Sequence, residues 1–359
     1  MEKLGILQLI DSLNTGGAEV LAVNIANSLQ DKNINSHLCA TRLEGKLKEN
    51  INKDIGYVFL DRKSVIDIKS IFRLKKYIKK HKISIIHAHA TSYFFAFSMK
   101  LIYPKVKIIW HDHFGLSQDL SKRRLFPLKQ ISYFFKAIIS VNFQLKKWSE
   151  VNLYCKEVLF INNFAEFHMV KPKTVLKGDK SKRIVHLAAF REQKDHITLI
   201  NAFELFLERN GDWTLHLIGE LKDDFYSKKV LDLVEEKSLQ KNVFFYGACL
   251  DISNILQQVT IGVLSSKSEG LPLSLLEYGL AKLPVIVTNV GECAKVVYNN
   301  KSGFVVDSGD FLSFSEKLNE LVNSDTMKNR FKENFNKTII NKYSKEAFMN
   351  TVLKLYYKF

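Results

Sequence analysis

Two glutamates eight residues apart, Glu269 and Glu277 in SSKSEGLPLSLLEYGLAKLPVIV (265–287), most invite a chemical reading. Glu269 falls in a turn, Gly270 allows close backbone approach, and Pro272 can open a helix that carries Glu277. At about 1.5 Å of rise per residue, the carboxylates stand on the order of 10–12 Å apart along the axis. A pair built to hydrolyse a glycosidic bond needs about 5–10 Å, so the spacing suits two ends of one extended ligand instead. An acid amid Leu275, Leu276 and Leu280 wants a partner, which favours ligand contact over a plain surface role for Glu277.

Two further segments offer charge to an anion. In FREQKDH (190–196), Arg191 and Lys194 stand three apart in a turn, where a guanidinium fork and an ammonium point charge can reach one diphosphate. A solvated turn before a helix is the plainer alternative. In NTGGAE (14–19), Gly16 and Gly17 let the backbone close on an anion at the N-terminus of the following helix, although such a turn alone is also an ordinary tight connection.

Histidines are the fourth feature. His87 and His89 end one apolar run, and His111 and His113 flank Asp112 after another. An H-x-H pair on a strand points both rings to one face, which opens a zinc reading. No third His or Cys stands at a usual metal spacing, so no metal site is expected. His113, followed by Phe114-Gly115, is expected to hydrogen-bond a polar substrate at a sheet edge, with His111 competing for that role.

These residues need elements to position them, and the sequence alternates strand-like and helix-like segments throughout. Apolar runs at 4–10, 36–41, 57–60, 82–90, 106–113, 137–141 and 158–161 read as strands of a first sheet, with helices at 18–32 and 66–82. The polar, lysine-rich stretch 171–182 reads as a linker. A second alternation follows, with strands in IVHLAAF, WTLHLIG, NVFFYG, TIGVLSS and PVIVTN, helices at 195–209, 225–238 and 272–281, a short one from Asp251, and a helical tail. Short buried strands separated by helices imply parallel sheets covered on both faces. The expected organisation is an α/β chain of two Rossmann-like domains: 1–170, a linker 171–182, 183–343, and a final helix over 344–359.

Composition bounds the partners. Of 359 residues, 46% are hydrophobic and 25% charged, which excludes wholesale disorder. The net charge of +16 is uneven: residues 1–170 hold 26 basic against 14 acidic side chains, and residues 171–359 hold 27 against 23. Basic stretches with aromatics, at 73–82 and 121–136, suit an anionic membrane surface or a solvated helix face, and no nucleic-acid motif accompanies them. Four scattered cysteines without a Cys-x-x-Cys pair suggest a reducing compartment. No apolar run reaches about 18 residues and no signal-peptide pattern opens the sequence, so a cytoplasmic protein, at most peripheral on the inner membrane face, is expected.

The order of the motifs resembles that of retaining glycosyltransferases of family 4, which have the GT-B fold of two Rossmann-like domains facing across a cleft. The resemblance runs through TGGAE, WHDHFG, INNF, FREQKDH, HLIG, FYG, SEGLPLSLLEYGLAKLPVI, NVG and NKSGFVV to the tail YSKEAFMNTVLKLYYKF, which looks like the family's last helix packing back on the N-domain. It implies that Lys194 and Arg191 neutralise a nucleotide diphosphate as the sugar leaves. It also implies that Glu269, with the N–H groups of Gly270 and Leu271, holds the donor sugar, that Glu277 holds the ribose, and that Gly16 and Gly17 lie against the diphosphate. His113 would touch the sugar, with His111 and Asn163 as candidates on the acceptor side. The implied co-substrate is a nucleotide-sugar, expected to be a UDP-sugar, with a saccharide or lipid-linked acceptor, no cofactor and no metal, in keeping with the missing D-x-D-type pair. Two departures stand out: Ala189 occupies the position where many members carry an arginine, and the family's Gly-x-Gly is reduced to Gly219-Glu220-Leu221. The alternatives are a nucleotide-sugar epimerase of the same fold and a non-catalytic subunit that binds glycan or membrane.

Overall fold

The computed structural model describes residues 3–30, 32, 34–115, 120–121, 123–167 and 171–359. They form two compact units, Met1–Phe164 with Lys345–Phe359, and Ala165–Ser344.

The first unit is built on seven strands: β1 (Gly5–Ser12), β2 (Asn35–Leu43), β3 (Gly56–Phe59), β4 (Ile83–His89), β5 (Lys107–Asp112), β6 (Phe135–Ser140) and β7 (Val158–Phe160). They pair in the order β3-β2-β1-β4-β5-β6-β7, and every pairing is parallel. Period-2 alternation sorts the central strands into two unlike faces. Leu7, Leu9, Ile86, Ala88, Ile108 and Trp110 join one apolar core. The opposite face takes Gln8, His87, His89 and His111, a polar layer that the helix Lys345–Tyr357 covers through Tyr356 and Phe348.

The basic stretch folds as the sequence implies. Asp67 caps the helix Ile68–Lys80 by accepting from the Ser70 N–H at 3.0 Å, Ile71, Leu74 and Ile78 are buried, and Phe72 stays exposed beside the lysines. Lys122 of the second basic stretch lies outside the described residues. Among the described residues no helix is long and apolar enough to cross a membrane.

In the second unit, β8 (Arg183–Leu187), β9 (Thr214–Ile218), β10 (Val243–Gly247), β11 (Ile261–Leu264), β12 (Val285–Thr288) and β13 (Phe304–Val306) pair in parallel in the order β10-β9-β8-β11-β12-β13. Each sheet therefore reverses its direction of growth once, between β1 and β4 and between β8 and β11. Ligands of such sheets bind beyond the carboxyl ends of the strands at this reversal.

The chain passes from one unit to the other at Phe164/Ala165, upstream of the stretch read as a linker. Residues 171–182 are tied into the second unit instead. Asp251 accepts from the N–H groups of Lys173 and Thr174 at 2.8 and 2.7 Å, and Gln258 accepts from that of Leu176 at 3.1 Å. The buried Arg183 guanidinium donates to the carbonyls of Leu176, Lys177 and Gly178. A lysine-rich composition describes the solvent side of this segment, and two of the partners that hold its backbone, Asp251 and Gln258, come from more than 70 residues downstream.

Candidate active site

Lys194 and Glu269 meet at the reversal of the second sheet. The Lys194 ammonium donates to Glu269 Oε1 at 2.6 Å, and the Ser266 hydroxyl donates to the same oxygen at 2.6 Å. Their side chains are 18% and 6% exposed, so the carboxylate is sunk and the ammonium reaches the surface. An ammonium has three donors, and one is engaged by Glu269.

The pair is positioned by the loops that leave β8 and β11. Ser265 Oγ donates to the carbonyls of Lys194 and Asp195 at 3.1 and 3.0 Å, and the Lys267 N–H donates to the Gln193 carbonyl at 2.8 Å. Asp195 adopts the left-handed conformation at φ 49° and caps the helix His196–Leu207 through Thr198, which turns the chain sharply after Lys194. On the other side, Thr288 Oγ1 donates to the Ser266 carbonyl at 2.7 Å and the Glu292 N–H to the Gly270 carbonyl at 2.9 Å. Gly291, at φ 55°, lies so close that a Cβ there would sit 2.1 Å from the Glu269 carbonyl oxygen. Gly219 plays a like part after β9, where a Cβ would meet the Ala188 carbonyl at 1.9 Å.

Glu277 lies on the helix Leu273–Leu280 with part of its surface open and no hydrogen-bond partner for its carboxyl among the described residues. Loss of hydration among its apolar neighbours raises its carboxyl to about 7. The next residue, Tyr278, is fully buried and fixes this helix on the sheet: its hydroxyl accepts from the Leu187 N–H at 2.7 Å and lies 3.3 Å from the Val185 and Val263 carbonyls. Tyr278 was not singled out in the sequence reading.

Arg191 is exposed, two residues beyond Ala189, and makes no ion pair among the described residues. Gly270 is partly exposed and Leu271 buried.

In the first unit, Gly17 opens the helix Gly17–Gln30 with open space where a Cβ would stand, and Gly16 precedes it against the Glu19 carboxylate. His111 is fully buried, as are His87 and His89, whereas His113, one residue past β5, is partly exposed. Its Nε2 lies 3.1 Å from His89 Nδ1, and burial drives its pKa down to about 3, so the ring is neutral. Asn163 is 5% exposed. The loop after β5 is held by a pair that the sequence reading missed: Arg123 forks onto Asp112 at 2.7 and 2.8 Å, and its guanidinium lies over the rings of Phe114 and Trp148. The β4–β5 register sets His89 beside His111, which supplies the third histidine that sequence spacing did not show.

Two parallel sheets in one chain, one of 3-2-1-4-5-6-7 and one of 3-2-1-4-5-6 strand order, define the GT-B class of folds. The family model for glycosyl transferases group 1 matches residues 170–338, and that for glycosyltransferase family 4 matches residues 15–151. The chain belongs to the group 1 glycosyltransferases of the family 4 type. A poly(ribitol-phosphate) α-N-acetylglucosaminyltransferase of Staphylococcus aureus is 24% identical over 86% of this chain and 64% of its own length, so the chain spans just under two thirds of that relative. A UDP-Gal:α-D-GlcNAc-diphosphoundecaprenol α-1,3-galactosyltransferase of Escherichia coli is 26% identical over 81% of this chain and 79% of its own. The Anabaena protein HepE, solved with UDP-glucose, matches with a TM-score of 0.83 at 15% identity, covering 99% of this chain and all of the other, a likeness of fold.

Proposed function

We propose that this chain moves a hexosyl or N-acetylhexosaminyl group from a UDP-sugar to a saccharide or lipid-linked acceptor in surface-polysaccharide assembly, with retained anomeric configuration and no metal ion. The observation that carries the proposal is the Lys194–Glu269 pair at the sheet reversal, where an α/β sheet of this order receives its ligand. Two relatives are named for N-acetylglucosamine and galactose transfer, and HepE was solved with UDP-glucose, which supports the donor class. The basic helix Ile68–Lys80 with exposed Phe72 suits docking on an anionic bilayer, where a lipid-linked acceptor would be met.

In this reading the bond from the sugar's anomeric carbon to the diphosphate breaks, and the negative charge left on the phosphate is met by Lys194 and Arg191. Cations aimed where charge develops lower the barrier more than they tighten ground-state binding. Glu269 and the Gly270 and Leu271 N–H groups hold the sugar hydroxyls, and its bond to Lys194 sets the ammonium in place before the donor arrives. Glu277 receives the ribose, and Gly219 lets the strand ends close near the nucleotide. The acceptor hydroxyl attacks on the face the diphosphate leaves, and its proton passes to the departing phosphate oxygen. Gly16 and Gly17 offer backbone N–H groups to phosphate, His113 serves the sugar, and His111 and Asn163 are the candidates for the acceptor side.

A panel of nucleotide-sugars is tested for thermal stabilisation, and the stabilising donor is then followed by UDP release and by NMR of the product's anomeric signal. Stabilisation by one UDP-sugar, retained configuration in the product and loss of turnover in Lys194→Ala are expected. Full turnover in that variant, or no stabilisation by any nucleotide-sugar, overturns the reading.

A further inference from the structure

We propose that the first unit holds a divalent cation of the zinc type on His87, His89 and His111, a site that shares His111 with the acceptor-side reading above. One ring nitrogen from each of the three lies within 4.8 Å of the others, and all three side chains are fully buried. They come from the ends of neighbouring strands, where the register places His89 opposite His111 and His87 two residues before His89.

The hydrogen-bond inventory points to a missing partner. Neither nitrogen of His111 has one, and Nε2 of His87 has none. An imidazole always presents at least one donor or acceptor at each nitrogen, and leaving such a group buried and unmade costs about 1–3 kcal/mol. A phenylalanine at position 111 would fill the same layer beside Phe348 without that cost. The orphaned nitrogens therefore need an occupant, and a buried polar atom without a partner commonly marks an ion or a water.

What surrounds the rings fits a metal's outer shell. A ligating histidine usually engages its second nitrogen with an oxygen that fixes its orientation. His87 Nδ1 lies 2.5 Å from the Tyr356 hydroxyl, and His89 Nε2 lies 2.8 Å from Gln8 Oε1. This leaves His87 Nε2 and one His111 nitrogen for the cation, with His89 Nδ1 released from its 3.1 Å contact with His113. His113, whose ring centre is 4.2 Å from that of His111, stands where a fourth ligand or a water would sit, and its partial exposure gives the entry path. Three imidazoles without a carboxylate select zinc and similar transition ions over magnesium or calcium, which take oxygen ligands. The rings stand within 11–32° of parallel, so metal–nitrogen bonds of about 2.0–2.1 Å need them to turn as well as draw together, which ties β4, β5 and, through Tyr356, the C-terminal helix.

The test uses the untagged full-length chain, stripped with a chelator and then given Zn²⁺ or Co²⁺ alone. Uptake of about one equivalent per chain, a visible tetrahedral Co²⁺ spectrum and a rise in Tm that chelator reverses are expected. His111→Phe should stay folded and lose the uptake, the spectrum and the Tm response, while His81→Gln, which alters the other histidine contact of this unit, keeps all three. Stripped wild-type protein that takes up less than about a tenth of an equivalent and shows no Tm response overturns the site, whether or not His111→Phe folds. Uptake retained in His111→Phe, or lost in His81→Gln, overturns it equally. Sugar transfer is not the readout, so failure of the metal site is told apart from failure of the transfer reading.

Discussion

Lys194 and Glu269 are 75 residues apart in sequence and share a 2.6 Å ion pair because β8 and β11 are neighbours in the sheet. The pair does two separable things. It satisfies a nearly buried carboxylate, and it fixes an ammonium at the mouth of the sheet.

Removing one partner should therefore cost both stability and turnover. Lys194→Met leaves Glu269 buried with less compensation, so a loss of about 1–3 kcal/mol is expected in urea unfolding. Transfer should fall by on the order of a hundred- to a thousandfold, the usual loss for one aimed donor. The double variant Lys194→Met/Glu269→Gln should regain much of the stability and none of the activity. A double variant that regained turnover would show the charge to be dispensable.

Glu277 predicts a pH dependence of opposite sense to that of a paired carboxylate. Its folded value of about 7 lies above the ordinary 4.5, so the fold favours the protonated form. The associated stability is fully present below about 4.5 and is lost as pH rises through 7. Wild type and Glu277→Gln should have similar Tm at pH 4.5, and the variant should become the more stable of the two by pH 8. Nucleotide affinity should run the other way, rising with pH in wild type as the carboxylate forms to accept ribose hydroxyls, and staying flat in Glu277→Gln. Parallel Tm curves would mean that the carboxyl is hydrated in the fold.

Much of this architecture was legible because each strand is an apolar run and each helix an amphipathic or capped one. The observed β4 and β5 fall inside the expected 82–90 and 106–113. What the residues alone did not disclose depends on which strands lie side by side. The approach of Lys194 to Glu269 follows from the crossover order, and the third histidine from the β4–β5 register, neither of which has a local pattern. Residues 171–182 misled for a different reason: their composition is that of a tether, while Asp251, Gln258 and Arg183 decide their path. Arg123 was read as one charge in a basic stretch, although its fork is committed to Asp112.

That commitment gives a third prediction. Asp112 and Arg123 are 1% and 7% exposed, so Arg123→Ala leaves a buried carboxylate alone, and a loss of about 3–5 kcal/mol is expected. Arg123→Lys should recover only part of it, because an ammonium cannot reproduce two parallel bonds or lie flat over Phe114 and Trp148. Urea midpoints of the three proteins check this, and equal midpoints for the lysine variant and wild type would reduce the pair to a simple charge contact.

Gly291 and Gly309 separate backbone strain from site geometry. Both have positive φ, 55° and 83°, but a Cβ at Gly309 meets nothing within 4 Å, whereas one at Gly291 would strike the Glu269 carbonyl at 2.1 Å. Gly309→Ala should therefore cost about 1 kcal/mol, the price of a left-handed alanine. Gly291→Ala carries that cost and must also push the Glu269–Gly270 peptide away, so a further 1–3 kcal/mol or so is expected. The displaced peptide belongs to the residue that holds Lys194, and so transfer in Gly291→Ala should fall by ten-fold or more, on the order seen when a site is misplaced by an ångström. In Gly309→Ala transfer should stay within about twofold of wild type, since the added Cβ meets nothing within 4 Å. Measuring kcat/KM and Tm on both variants decides the matter: equal activities would show that the Glu269 loop tolerates the shift and that the pair is not held by its neighbour across the sheet edge.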